Sequence, residues 1–182
     1  TGDYLAFGYG DPARRAFPAY GESEPEIAGA RRLMLARDLS KLLMALGGKE
    51  GERALSIAGP YAAAVLARMG LNATAQESDA AVFDVVGSAL ADEGVAAVVA
   101  PLSAPAGEGY DVIVSEAAVP GRPEAWLKAL SVGGRLAVVE RTGPGGKAVL
   151  YMRGEQGISR RELFDAAPPV LAELAPEPTF AL

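Results

Sequence analysis

The sequence predicts an α/β fold, a doubly wound, mostly parallel sheet with an antiparallel edge pair, and three observations carry that reading. Apolar segments of strand length alternate with segments of helical period from residue 53 to 140, the pattern of strands joined by crossover helices. The segment 110–115 is apolar except at its ends, as a strand covered on both faces is, whereas a half-solvated strand alternates. The last two apolar segments, 147–153 and 158–164, are joined through Gly154 and Gly157 with no room for a helix, so they pair antiparallel at an edge.

Each element has its own signal. Residues 1–25 are punctuated by Gly2, Gly8, Gly10, Pro12, Pro18, Gly21 and Pro25, and neither the strand nor the helix period persists there. This is an irregular arm preceding a domain at 26–182. It carries Tyr4, Phe7, Tyr9, Phe17 and Tyr20, and disordered tails are poor in aromatics because these side chains gain most from burial. The arm packs either on its own domain or, as an anchor, on a partner protein, where aromatics are enriched. From 27 to 46 a helix is expected: Leu35, Leu39, Leu42, Leu43 and Leu46 recur at helical spacing, and Gly47 with Gly48 supplies the stop. A strand at 53–58 leads by a tight turn into an Ala-rich helix at 61–69, closed by Gly70. A strand at 71–76, a helix at 78–92 and strands at 96–100 and 110–115 follow. A helix at 122–130, the Gly133-Gly134 turn and a strand at 135–140 complete the alternation.

Composition narrows the chemistry. The 182 residues carry 17 Lys plus Arg against 23 Asp plus Glu, a formal charge of -6, with 50% hydrophobic and 22% charged residues, which is ordinary globular composition. There is no Cys and no His, so disulfides, thiolate nucleophiles, Cys-built metal sites and histidine-based triads are excluded. The acidic balance argues against nucleic-acid binding, which needs Lys and Arg to neutralise phosphates. No run reaches the roughly 18 apolar residues of a membrane span, and a cytoplasmic protein without membrane insertion is expected. Gly143-Pro144-Gly145-Gly146-Lys147 is followed by Ala148, so the phosphate-loop spacing is not met and a connecting turn is expected. Glu22, Glu24 and Glu26 read as a solvated acidic face. Glu116, after the strand at 110–115, is placed beside the ligand cleft without a catalytic role.

In such folds ligands bind at the carboxyl ends of the strands, where strand order reverses. That directs attention to Ser56-Ile57-Ala58-Gly59-Pro60-Tyr61 and to Glu77-Ser78-Asp79, where an acid can accept both hydroxyls of a ribose. These segments, with Tyr110-Asp111-Val112-Ile113-Val114, the passage from Pro123-Glu124-Ala125-Trp126-Leu127 to Gly133-Gly134-Arg135-Leu136, and the ending Ser159-Arg160-Arg161-Glu162-Leu163-Phe164-Asp165-Ala166-Ala167-Pro168-Pro169 with Phe180, resemble a bacterial branch of the protein-L-isoaspartate O-methyltransferases over about residues 19–182. The resemblance implies a Rossmann-like sheet of the S-adenosylmethionine-dependent type, with Gly59, Tyr61 and Glu77 as the cofactor-binding residues of an active enzyme acting on isoaspartyl carboxylates.

The same comparison exposes departures. The family's first strand ends in an Asp and runs into a G-x-G-x-G loop before a Tyr; here Ser56 stands for the Asp, Ala58 for the first Gly, and the loop is about two residues shorter. Pro60 fixes φ and removes an N–H donor. The family's hydroxyl-bearing substrate segment is replaced by Ala28-Gly29-Ala30-Arg31-Arg32, whose arginines read as solvated helix-start residues, with carboxylate binding as the alternative. Methyl transfer to a carboxylate needs positioning more than acid-base help, so a degraded cradle implies a degraded enzyme. No catalytic residue, no metal and no cofactor are expected, S-adenosylmethionine entering only if activity is retained. The expected function is that of a non-catalytic, protein-binding or accessory subunit of a larger assembly, contacted through the arm; the alternative is an active isoaspartyl carboxyl methyltransferase.

Overall fold

A computed structural model describes residues 26–28 and 31–175. The aromatic arm, with Tyr4, Phe7, Tyr9, Phe17 and Tyr20, and the terminal Phe180 lie outside the described residues. The chain runs β1 (Glu26–Ala28), β2 (Arg31–Arg32), α1 (Ala36–Leu46), β3 (Arg53–Ile57), α2 (Pro60–Arg68), β4 (Asn72–Glu77), α3 (Ala80–Asp92), β5 (Ala96–Val99), β6 (Tyr110–Val119), α4 (Glu124–Lys128), β7 (Leu130–Arg141), β8 (Gly146–Arg153) and β9 (Ile158–Asp165), ending in a 3-10 turn at Ala172–Leu174.

Seven strands form one sheet in the order β5-β4-β3-β6-β7-β8-β9. The five from β5 to β7 are parallel, and β8 and β9 add antiparallel. Strand order reverses between β3 and β6, so the cleft beyond their carboxyl ends is the place for a ligand. Successive strand residues face opposite sides, and both sides are dry. Ala54, Val112, Val114, Ala137 and Val139 join the side chains of α1, α2 and α3 in one cluster. Leu55, Ile57, Ile113, Leu136 and Val138 join Trp126, Leu127 and Leu102 in the other. This two-sided burial is why the central strands read as unbroken apolar runs. Among the described residues no helix is long and apolar enough to cross a membrane.

The expected helix at 27–46 is corrected in its first third. Residues 26–32 form a separate antiparallel pair, with Glu26 opposite Arg32 and Ala28 opposite Arg31, and the helix begins at Ala36. Its apolar stripe starts only at Leu35; upstream, Ile27 is buried as a strand residue between exposed Glu26 and half-buried Ala28, and Leu33 and Met34 are buried in the link from β2 to α1. The helix expected at 122–130 shrinks to α4, and β7 starts upstream of the predicted Gly133-Gly134 turn. That glycine pair makes a bulge within the strand: pairing jumps from Tyr110–Leu130 to Val112–Arg135, and a Cβ on Gly134 would stand 2.8 Å from the carbonyl oxygens of Ser131 and Tyr110. A second irregularity, between Val114 and Ala118, carries β6 on to Val119.

Arg135 joins the layers. Its Nε donates to the Leu46 carbonyl at 2.8 Å and Nη2 to the Gly47 carbonyl at 2.9 Å, satisfying orphan acceptors at the α1 C-terminus, while both Nη groups meet Glu52 at 2.9 Å. The guanidinium holds the Glu52 carboxyl below its ordinary value. Arg135→Met should therefore lower the urea-unfolding free energy by about 2 kcal/mol, with an unchanged dependence on urea concentration; a loss below about 0.5 kcal/mol would show that water replaces these bonds without cost.

Candidate functional site

The turn after β3 is held from within. Ala58, a non-glycine residue, sits at φ 52°, a left-handed conformation costing about 1–2 kcal/mol in an L-residue. The Ser56 hydroxyl donates to the Gly59 carbonyl at 2.5 Å, and Pro60 takes the first helical position of α2, where its fixed φ suits the helix start and its missing N–H is not needed. Gly59 is hemmed in: a Cβ there would lie 2.6 Å from Ser56 Oγ and 3.1 Å from the Glu116 side chain. A ligand approaching this backbone meets those same atoms.

Glu116 arrives at that spot because of the irregularity in β6. It is 1% exposed; Oε2 accepts from the Ala62 amide at 3.1 Å and Oε1 from the Met34 amide at 3.3 Å. The Ala62 bond places a carboxyl at the start of α2, where orphan N–H groups and the helix dipole favour negative charge. Burial outweighs these bonds and pushes the Glu116 carboxyl up to about 7.

Glu77, the last residue of β4, has no exposed side-chain surface and is bound by Arg31, whose own side chain is 14% exposed. The guanidinium Nε lies 2.9 Å from Oε2 and 3.2 Å from Oε1, and Nη2 lies 2.9 Å from Oε2. Burial pushes the Glu77 carboxyl up to about 7 against the pull of Arg31, with Glu173 and Asp79 adding to the rise. Next to it, buried Gln76 donates to the carbonyls of Pro101 and Ala104 at 2.9 and 2.8 Å and accepts from the Ala106 amide at 2.8 Å, fixing the loop after β5. A cleft of about 250 Å³ remains, with Arg31, Arg32, Asp79, Glu116 and Glu173 in its walls, at the small end of ligand pockets.

Of the residues singled out in the sequence, Glu116 lines the cleft and stands against both the Gly59 turn and α2, whereas Gly59 and Glu77 are not among the wall residues. Tyr61 is buried in the apolar cluster with α1 and is not part of the cleft wall. Arg31, expected to be a solvated helix-start residue, is instead a strand residue with its charge on Glu77. Sequence periodicity gave no sign of this pair, whose members are 46 residues apart. Glu26 is exposed, and the segment ending at Gly146 connects β7 to β8.

No family model matches the chain. Over 167 residues it is 32% identical to a protein-L-isoaspartate O-methyltransferase of Methylorubrum populi, covering 86% of this chain and 76% of that protein. In structure it is similar to a Plasmodium falciparum protein assigned as a protein-L-isoaspartate O-methyltransferase and crystallised with S-adenosyl-L-homocysteine, with a TM-score of 0.74, 14% identity, and coverage of 85% of this chain and 82% of that one. A second solved protein-L-isoaspartate O-methyltransferase gives a TM-score of 0.66 at 19% identity, covering 94% of this chain and 62% of that one. The sheet and helices thus share the fold of S-adenosylmethionine-dependent methyltransferases. The residues described here nevertheless do not fit that cofactor. Glu77 is bound by Arg31, the Ala62 amide at the start of α2 donates to Glu116, and Gly59 is walled by Ser56 and Glu116, so these groups are engaged within the chain.

The buried carboxyl sets a pH dependence. A folded-state value near 7 against an ordinary value of 4.5 for Glu116 means that the folded chain holds a proton that the unfolded chain releases, so stability falls as pH rises through this window. Glu77 acts in the same direction. The urea midpoint should therefore be higher near about pH 5 than near about pH 7.5, and Glu116→Gln should flatten part of that slope. An unchanged slope in the variant would contradict the assignment.

Proposed function

The chain belongs to the protein-L-isoaspartate O-methyltransferase family, and we propose that within it this protein is a non-catalytic member that serves as a protein-binding or accessory subunit of a larger assembly. The observation that carries this reading is the Glu116 carboxyl on the Ala62 amide, packed against Gly59. A cofactor carboxylate at the same helix start would meet a buried acid that already occupies the Ala62 N–H and the space beside Gly59, in place of free N–H donors. Alignment of cofactor and substrate is most of what methyl transfer to a carboxylate requires, so loss of the binding geometry removes the catalysis with it.

The arm supports the second half of the proposal. Tyr4, Phe7, Tyr9, Phe17 and Tyr20 within twenty residues offer the large apolar surface on which protein interfaces draw for binding energy. The partner is taken to be a protein, possible settings including a multisubunit complex, and the domain supplies the scaffold that presents the arm.

Thermal unfolding in the presence of S-adenosylmethionine, and separately S-adenosylhomocysteine, tests the first half. A ligand at about 100 times its dissociation constant adds about 2.7 kcal/mol of stability; the expected result is no saturable shift and no methyl transfer to isoaspartyl peptides. Saturable stabilisation together with transfer would instead establish the carboxyl methyltransferase reading, with Glu77 on the ribose. For the second half, deletion of residues 1–20 should abolish co-purification with the native partner and leave the unfolding transition of the domain in place. Association that survives the deletion rules out the arm as the anchor.

A further inference from the structure

We propose that the β1–β2 hairpin is a built-in plug of a nucleoside-binding cleft, its occupant being the Arg31 guanidinium. The inference rests on the reading that the domain works without cofactor and adds what fills the cleft instead. Glu77 stands at the carboxyl end of β4, one strand from the reversal of strand order, where two carboxylate oxygens match a pair of adjacent ribose hydroxyls. Arg31 makes the same two-point contact with its planar fork, Nε and Nη2 both within 2.9 Å of Oε2 and Nε reaching Oε1 at 3.2 Å.

The competition between the two occupants is unequal. A diol is neutral, whereas the guanidinium brings a charge to a carboxylate shut away from water, and charge-assisted bonds of this geometry are roughly twice as strong as neutral ones. The plug is also tethered, so it acts at a high effective concentration that a free nucleoside must exceed. Its mounting is distinct from the rest of the fold: β1 and β2 pair only with each other and form no ladder with the seven-stranded sheet. The hairpin is fastened to the cleft by Arg31 on Glu77, by the buried Ile27 and, just downstream, by the Met34 amide on Glu116. With Glu77 fully covered and Arg31 partly exposed, the guanidinium lies on the solvent side of the acid, as a plug must.

The test uses the full chain, adenosine as probe and titration calorimetry. Wild type should give no saturable heat at millimolar adenosine, Arg31→Ala should bind it at least about tenfold more tightly than the wild-type limit, and Arg31→Ala with Glu77→Gln should lose that gain. No gain in Arg31→Ala, or a gain that survives removal of the acid, overturns the plug. Because an emptied acid can weaken the fold, the thermal midpoint of Arg31→Ala is also measured with ethylguanidinium and with ethylammonium. Recovery by the first and not the second is expected, and recovery by neither, or equally by both, overturns the proposal. A silent wild type with silent variants removes the plug and leaves the non-catalytic reading standing, whereas cofactor binding and methyl transfer by wild type remove that reading.

Discussion

Keeping charge inside a dry sheet edge is the constraint around which the rest of this molecule is arranged. Both faces of the central strands are covered by apolar side chains, and Glu77 and Glu116 near their carboxyl ends are cut off from water, where an isolated ion would carry a large desolvation penalty. These two carboxyls nevertheless sit there, beside Arg31. Arg31 answers Glu77, the backbone of Met34, Ala62 and Tyr61 answers Glu116, and the hairpin, the bulged end of β6 and the start of α2 are placed as they must be for those answers to be given. The turn after β3 bears the accompanying strain, with Ala58 in a left-handed conformation and Gly59 enclosed by side chains.

Membership of a methyltransferase family and the proposed non-catalytic role are therefore compatible. The sheet order, the crossover helices and the antiparallel edge are set by burial and by the hand of the connections, and none of these depends on a ligand being held. Cofactor recognition depends on a handful of atoms at one end of four strands. In this chain Glu77, Gly59 and the Ala62 amide have close partners from within the chain, which is what the proposed non-catalytic role draws on.

Much of this architecture was legible in the sequence because it follows from periodicity. The run Val112-Ile113-Val114 announced a strand covered on both faces, Leu39, Leu42, Leu43 and Leu46 announced α1, and Gly154 with Gly157 announced the edge hairpin. The tight turn between β3 and α2 was legible too, since Pro60 acts locally at the helix start. What could not be read was long-range. Nothing near Arg31 signals that it meets Glu77, and the helical spacing further along hid the β1–β2 pair, whose strands are too short to have a period of their own. The extension of β6 was missed for a related reason: Ser115 and Glu116 look like the end of an apolar strand, and only the fold shows that the chain bulges and continues to Val119.

The uneven count of charges in the cleft carries a consequence of its own. The buried carboxyls of Glu77 and Glu116 stand beside Arg31, with Arg32, Asp79 and Glu173 exposed in the cleft wall, and burial raises both buried carboxyls, so their protonation is coupled to the charge around them. Such a site behaves as a small capacitor. Any event that changes its charge, whether withdrawal of Arg31 or arrival of a cation, is met by uptake or release of protons, and its apparent free energy acquires a dependence on pH that contacts alone would not reveal.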